Sequence, residues 1–266
     1  MRKKYYTDYH LHTDNSFDST ARMEDYCRRA IEIGLAEIAF TEHYDLNPVD
    51  NGAAHFSAEK YFTELASCRR KFGEKLVIRA ALELGEPYLY REQHFKLLAE
   101  RNFDFLIGSV HYLGDQDIGY LRAEFSERDL YAEYLHEVLK VAREGEFDVL
   151  GHLDVLKRYA PENYRNFNPK RYEELIREIL SSVINRGLGI EINTSGYRQG
   201  FDSPFPDPLI IRWFKELGGE IVTIGSDSHR IEDLGKGIVD GIQLMQDCGI
   251  KYLSTFSSRR LIMYKI

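Results

Sequence analysis

The sequence predicts an α/β barrel, and three observations carry that expectation. Strand-like and helix-like segments alternate along the 266 residues, giving seven β-α units. Many strand segments are apolar on both faces, as in a parallel sheet covered by helices. Nearly every strand ends in a histidine or a carboxylate. In α/β barrels the active site is assembled from the C-terminal ends of several strands, whereas an open sheet gathers it at one crevice.

In order along the chain, Met1 to Tyr6 lead into the first strand, Tyr5 to His12, with no signal-peptide core. Met23 to Ile33 has helical spacing, with Met23, Tyr26, Cys27, Ala30 and Ile31 on one face, Thr20 as the expected N-cap and Gly34 as the stop. Glu37 to Thr41 forms the second strand and delivers Glu42 and His43. The alternation continues with helix 58–71, strand 76–84, helix 89–100, strand 103–110 and helix 127–143. Strand 147–150, helix 169–185, strand 188–192, helix 208–217, strand 220–224 and helix 234–246 complete it. No linker rich in Gly, Ser or Pro divides the chain and no longer repeat is visible, so residues 1–266 are expected to form a single domain.

Composition limits the function classes. With 43% hydrophobic residues the chain can bury a large core, and no apolar run is long enough to cross a bilayer, so a cytoplasmic location is expected. Cys27, Cys68 and Cys248 lack metal or disulfide spacing and read as small core residues. A formal charge of −8 argues against a broad nucleic-acid footprint, since that binding needs a basic surface to release counterions. A small anionic substrate needs only local arginines and is compatible. Oligomeric state is not legible in the sequence.

The chemistry concentrates at the strand ends. His10 and His12 lie one residue apart on an extended segment and project to the same side. Asp18 follows in a loop that can fold back, and Asp227-Ser228-His229 repeats the spacing after another apolar run. His43, Glu83, His111 and His152 close further apolar runs. These nine positions take six of the nine histidines; His55 lies in a polar loop, and His94 and His136 fall within helical patterns. Nine such ligands exceed the needs of one ion, because a catalytic zinc takes about three protein ligands. Two or three divalent ions are therefore expected, and mixed nitrogen and oxygen ligands suit zinc, manganese or iron.

The motifs His10-Leu11-His12 with Asp18, Thr41-Glu42-His43, Ser109-Val110-His111, and Gly151-His152 with Ser226-Asp227-Ser228-His229 resemble those of the polymerase and histidinol phosphatase (PHP) superfamily across almost the whole chain. Phe40-Thr41-Glu42-His43, Ile107-Gly108-Ser109-Val110-His111, Gly151-His152-Leu153-Asp154 and Glu191-Ile192-Asn193-Thr194-Ser195-Gly196, together with the length, bring the likeness nearest to the stand-alone histidinol-phosphate phosphatases. The resemblance implies a distorted (β/α)7 barrel with a trinuclear site. In it, His10, His12, Glu83 and Asp227 would hold one ion, Glu83, His111 and His152 a second, and Asp18, His43 and His229 a third. It also implies a phosphomonoesterase that converts L-histidinol phosphate and water to L-histidinol and phosphate in histidine biosynthesis. A hydroxide shared by two ions would attack phosphorus, since coordination lowers the pKa of water from 15.7 to about 7. Glu83, Asp227, His229 and Arg158 are the candidates for the reaction itself. Arg158 and Arg198 follow ligand-bearing strand ends and are the candidate phosphate donors, because a guanidinium fork matches phosphate oxygens. Glu42 and Asp154 neighbour ligands as orienting groups or as acids for the leaving alkoxide. The competing readings are a PHP phosphoesterase acting on nucleotides or nucleic-acid ends, a non-catalytic metal-binding module and, ranked lower, an amidohydrolase-type enzyme cleaving C–N bonds.

Overall fold

Parallel pairing orders seven strands into one sheet that rolls into a barrel in the computed structural model, which describes residues 5–266. The expected lead-in at residues 1–4 lies outside the described residues. The barrel strands are β1 (Thr7–Asp8), β2 (Glu37–Tyr44), β3 (Val77–Gly85) and β4 (Phe105–Ser109), then, after a small antiparallel hairpin of β5 (Tyr112–Leu113) and β6 (Gln116–Asp117), β7 (Val149–Leu150), β8 (Gly189–Asn193) and β9 (Val222–Gly225). Closure comes from the segment beyond β1. Tyr9 donates its N–H to the Ile224 carbonyl at 2.9 Å, and Leu11 bridges Ser228 in parallel.

The helices are α1 (Met23–Ile33), α2 (Ala58–Phe72), α3 (Arg91–Glu100), α4 (Leu130–Glu144), α5 (Leu156–Tyr159), α6 (Glu173–Asn185), α7 (Ser195–Arg198), α8 (Pro208–Glu216) and α9 (Ile238–Asp247). Helix α1 stops where expected, at Gly34 in the left-handed region with φ of 80°. Its N-cap is Arg22, not Thr20, and no side chain caps it. The expected helix 169–185 divides into a 3-10 turn, Pro169–Tyr172, and α6. The last helix starts four residues late because Gly235 and Gly237 adopt positive φ. Among the described residues no helix is long and apolar enough to cross a membrane.

Period-two alternation sorts each strand into two cores. Ile38, Phe40, Leu82 and Leu106 face the helices in the larger apolar cluster. Tyr9, Ala39, Ala81, Phe105, Ile107 and Val149 fill the barrel interior together with Phe256. Phe256 belongs to an unpredicted C-terminal hairpin, β10 (Tyr252–Ser257) paired antiparallel with β11 (Arg260–Lys265). This hairpin plugs the N-terminal end of the barrel. Phe256 stacks on Phe105 with centroids 5.2 Å apart, Arg79 bridges Glu37 and Ser257, and Arg259 pairs with Asp148 at 2.6 Å. Register places His43 beside Glu83, and Glu83 beside Ile107, at the opposite end. All three cysteines are buried, as expected of small core residues.

Candidate metal centre

Glu83 is the hub of the C-terminal face. It is 1% exposed, and its inward position at the end of β3 follows from the alternation that also turns Ala81 inward. Oε2 lies 3.2 Å from His10 Nε2, 3.2 Å from His43 Nδ1 and 3.5 Å from His12 Nε2. Oε1 lies 2.8 Å from His152 Nε2 and 3.3 Å from His111 Nε2, and it accepts the Ser109 hydroxyl at 2.7 Å.

Asp227 closes one side, with Oδ1 3.5 Å from His229 Nδ1, 3.6 Å from His12 Nε2 and 3.8 Å from His10 Nε2. Its φ of 53° is unusual for a residue other than glycine and costs on the order of 1–3 kcal/mol, a strain the surrounding structure must hold. Asp18 does fold back from its loop. Its Oδ2 lies 2.9 Å from His229 Nε2 and 3.6 Å from His43 Nε2. All nine sequence-derived positions thus meet around one point.

Three groupings of these atoms could each hold an ion: His10, His12 and Glu83; His43, Glu83 and His111; and His12, Asp18, His43 and His229. They differ from the partition expected from the resemblance at four residues: Asp227 is not grouped with His10 and His12, His152 is not grouped with Glu83 and His111, His43 joins Glu83 and His111, and His12 joins the Asp18 group. His43 sits with Glu83 and His111 as well as with Asp18, because Asp45, 3.3 Å from its Nδ1, draws it to that side. His12 reaches the Asp18 group because its ring stacks between those of His43 and His229, each 4.2 Å away.

The residues fit a divalent cation. Five imidazoles point nitrogens at one carboxylate, and Nε2 of His10, Nε2 of His12 and Nδ1 of His43 are buried with no hydrogen-bond partner among the described residues. Converging lone pairs and carboxylate oxygens are the donor set of zinc, manganese or iron. Burial would push the Glu83 carboxyl up, yet the imidazoles of His10, His111 and His43 hold it well below the usual carboxylate range. Asp227 is held down in the same way, against its burial, by His10, His229 and His12. Burial and the neighbouring His229, His43 and His10 push the His12 imidazole down, which leaves it neutral with a lone pair free.

An outer ring fixes the imidazoles. His10 Nδ1 is 2.5 Å from Glu191 Oε1, and His111 Nδ1 is 2.9 Å from Asp45 Oδ1. Gly85 permits the Asp45 contact, since a Cβ there would lie 1.9 Å from Asp45 Oδ1. Ser16 Oγ donates to Glu42 at 2.7 Å, with His12 Nδ1 at 3.1 Å and the His43 N–H at 3.0 Å on the same oxygen. Glu42, pushed by burial up to about 7, also accepts from Thr13 N–H and Oγ1, so it orients ligands through Ser16 and does not line the cavity. Asp154 does not line the cavity either; it holds Lys157 Nζ at 2.8 Å and the Asp207 N–H at 2.9 Å. Glu191, Asp45 and Ser16 were missed by sequence reasoning. Only Glu191 carried a signal, as the charged residue inside an apolar strand.

The cavity above the hub has a volume of about 680 Å³. Arg158 lines it, with Nη1 3.9 Å from Asp227 Oδ2 and its guanidinium over the Tyr159 ring at 5.3 Å. Arg198 does not line it. Its Nη2 donates to the Asp227 carbonyl at 3.2 Å, its Nε is 3.7 Å from Asp233, and its buried Nη1 has no partner among the described residues. His94 is buried against the Tyr44 and Tyr90 rings, while His55 and His136 are exposed, so none of the three joins the centre.

Comparison with known proteins identifies the family. The chain is 31% identical over 259 residues to the histidinol-phosphatase of Lactococcus lactis, covering 96% of this chain and 95% of the relative. It is 30% identical over 266 residues to the probable histidinol-phosphatase of Clostridium acetobutylicum, covering 97% and 98%. The crystal structure of histidinol phosphate phosphatase from Lactococcus lactis, complexed with zinc, L-histidinol and phosphate, superposes with a TM-score of 0.87 at 29% identity, covering 97% of this chain and 98% of that one. Residues 8–195 match the PHP domain, so this barrel with its nine-residue histidine and carboxylate centre belongs to the PHP family.

Proposed function

We propose that the chain is a metal-dependent phosphomonoesterase that hydrolyses L-histidinol phosphate to L-histidinol and orthophosphate. The observation that carries the reading is Glu83, one buried carboxylate ringed by His10, His12, His43, His111 and His152, with Arg158 on the cavity wall above it. The relatives named for this reaction, and the related crystal structure holding zinc, L-histidinol and phosphate, support it.

His10, His12, Asp18, His43, Glu83, His111, His152, Asp227 and His229 would hold two or three divalent ions of zinc, manganese or iron, with Glu83 shared. When bound, such ions activate water and neutralise charge on the transferring phosphoryl group. The chain's own side chains do the rest. Arg158 donates to the phosphoryl oxygens as charge grows on them, and a guanidinium needs no reorganisation to do so. Arg198, which does not line the cavity, holds the Asp227 backbone and so acts on the centre through that ligand and not as the phosphate donor expected from the sequence. The outer wall carries Asp50, Asp115 and Asp117, which complement an amine-bearing alcohol at the far end of the substrate.

The acidic lining disfavours the nucleotide and nucleic-acid alternative, and the filled ligand set disfavours a non-catalytic module. A phosphate-release screen over phosphomonoesters, run with metal analysis of the same preparation, tests the reading. Histidinol phosphate is expected to be the preferred substrate, and preference for a nucleotide would transfer the assignment.

A further inference from the structure

A second cavity of about 450 Å³ lies on the other side of Arg158 and Tyr159, which line both. Arg122, from the 3-10 segment Ile118–Ser126, and Arg165, from the loop after α5, complete its basic wall, and Glu162 is the one carboxylate among the described residues that line it. The formal charge of the lining is therefore positive in a protein whose net charge is −8.

These arginines are not engaged with one another's counterions. Among the described residues Arg122 and Arg165 have no carboxylate within ion-pairing distance, and that of Arg158 is Asp227 at 3.9 Å. Arg165 is held in place by the Gln199 carbonyl at 2.9 Å and by the Phe201 ring at 4.7 Å, and its buried Nε has no hydrogen-bond partner among the described residues. Three guanidinium groups lining one space, two of them without a carboxylate partner among the described residues, form a receptor for a compact multivalent anion.

We propose that this cavity is a second anion site, which takes orthophosphate handed on by Arg158 as the product leaves the metal centre. Its role rests on the phosphatase reading. The open mouth of the main cavity is lined by Asp50, Asp115 and Asp117, which repel a departing phosphate dianion, whereas the arginine cavity attracts it.

The test is calorimetric titration of the metal-loaded, full-length protein with orthophosphate. Two phosphates per chain are expected. Arg122→Ala and Arg165→Gln should each weaken the second by about tenfold, the scale of one lost charge-assisted hydrogen bond. Glu162→Gln should tighten it, and a misfolded variant cannot produce that gain. One phosphate per chain, or a second whose affinity ignores all three substitutions, overturns the site. A protein that binds both phosphates but releases none from histidinol phosphate supports the site and overturns the phosphatase reading instead.

Discussion

Glu83 should matter more than any single histidine, because its two oxygens face different groups of imidazoles. Glu83→Gln keeps the volume and removes the charge that offsets mutual repulsion between bound ions. The variant is expected to lose metal, read by elemental analysis, and nearly all turnover; full metal content with unchanged kcat would end the shared-ligand assignment. Arg158 separates from it cleanly, since a guanidinium is no ligand for a cation. Arg158→Ala should retain metal and lose about a hundredfold or more in kcat/KM, the scale of one donor to developing charge. Arg158→Lys should recover part of that loss, as a point charge cannot reproduce a bidentate contact. Steady-state kinetics of the pair, with metal quantified in each, decide it, and an unaltered Arg158→Ala removes this residue from the phosphate site and moves Arg230, the other arginine lining the cavity, to first candidate.

The C-terminal hairpin is the element that completes the barrel at the end remote from the chemistry. Asp148, next to β7, accepts the Leu106 N–H at 2.8 Å and pairs with Arg259 in the hairpin turn. Burial pushes its carboxyl up to about 6, with Arg259 opposing. Between the ordinary aspartate value and that point the folded protein keeps the proton and the unfolded chain releases it. This group therefore lowers stability as pH rises through the window. Asp148→Asn removes that dependence, so its unfolding free energy relative to the parent should rise by on the order of 2 kcal/mol between about pH 4 and about pH 6. Denaturant unfolding at several pH values measures it, and parallel curves would contradict it. The hairpin was not anticipated because Tyr252 to Lys265 follows the last β-α unit and its pairing is local, outside the repeating pattern that identified the barrel. The ligand-bearing strand ends were legible because a histidine or carboxylate closing an apolar run stands out from its neighbours. Asp45 and Ser16 were not, since their contacts depend on strand register and loop shape that no spacing encodes, and Glu191 showed only as a charged residue inside an apolar strand.

For the molecule as a whole, the barrel brings together side chains as distant in sequence as His10 and His229, and the contacts of the segment beyond β1 with β9 and with Ser228 do so. The alternation of elements made the architecture legible, while the crossing of His12 and His43 between ion groups was set by ring packing and by Asp45. The central claim is that this closed end is a metal-dependent phosphatase centre. Phosphate release from L-histidinol phosphate should be measured before chelation, after chelation, and after restoring zinc, manganese or iron in turn. Turnover is expected to disappear with the metal and to return with at least one of these ions at a stoichiometry of two or three per chain. Turnover that survives complete metal removal, or a fully metallated protein that releases no phosphate from this ester, would contradict it.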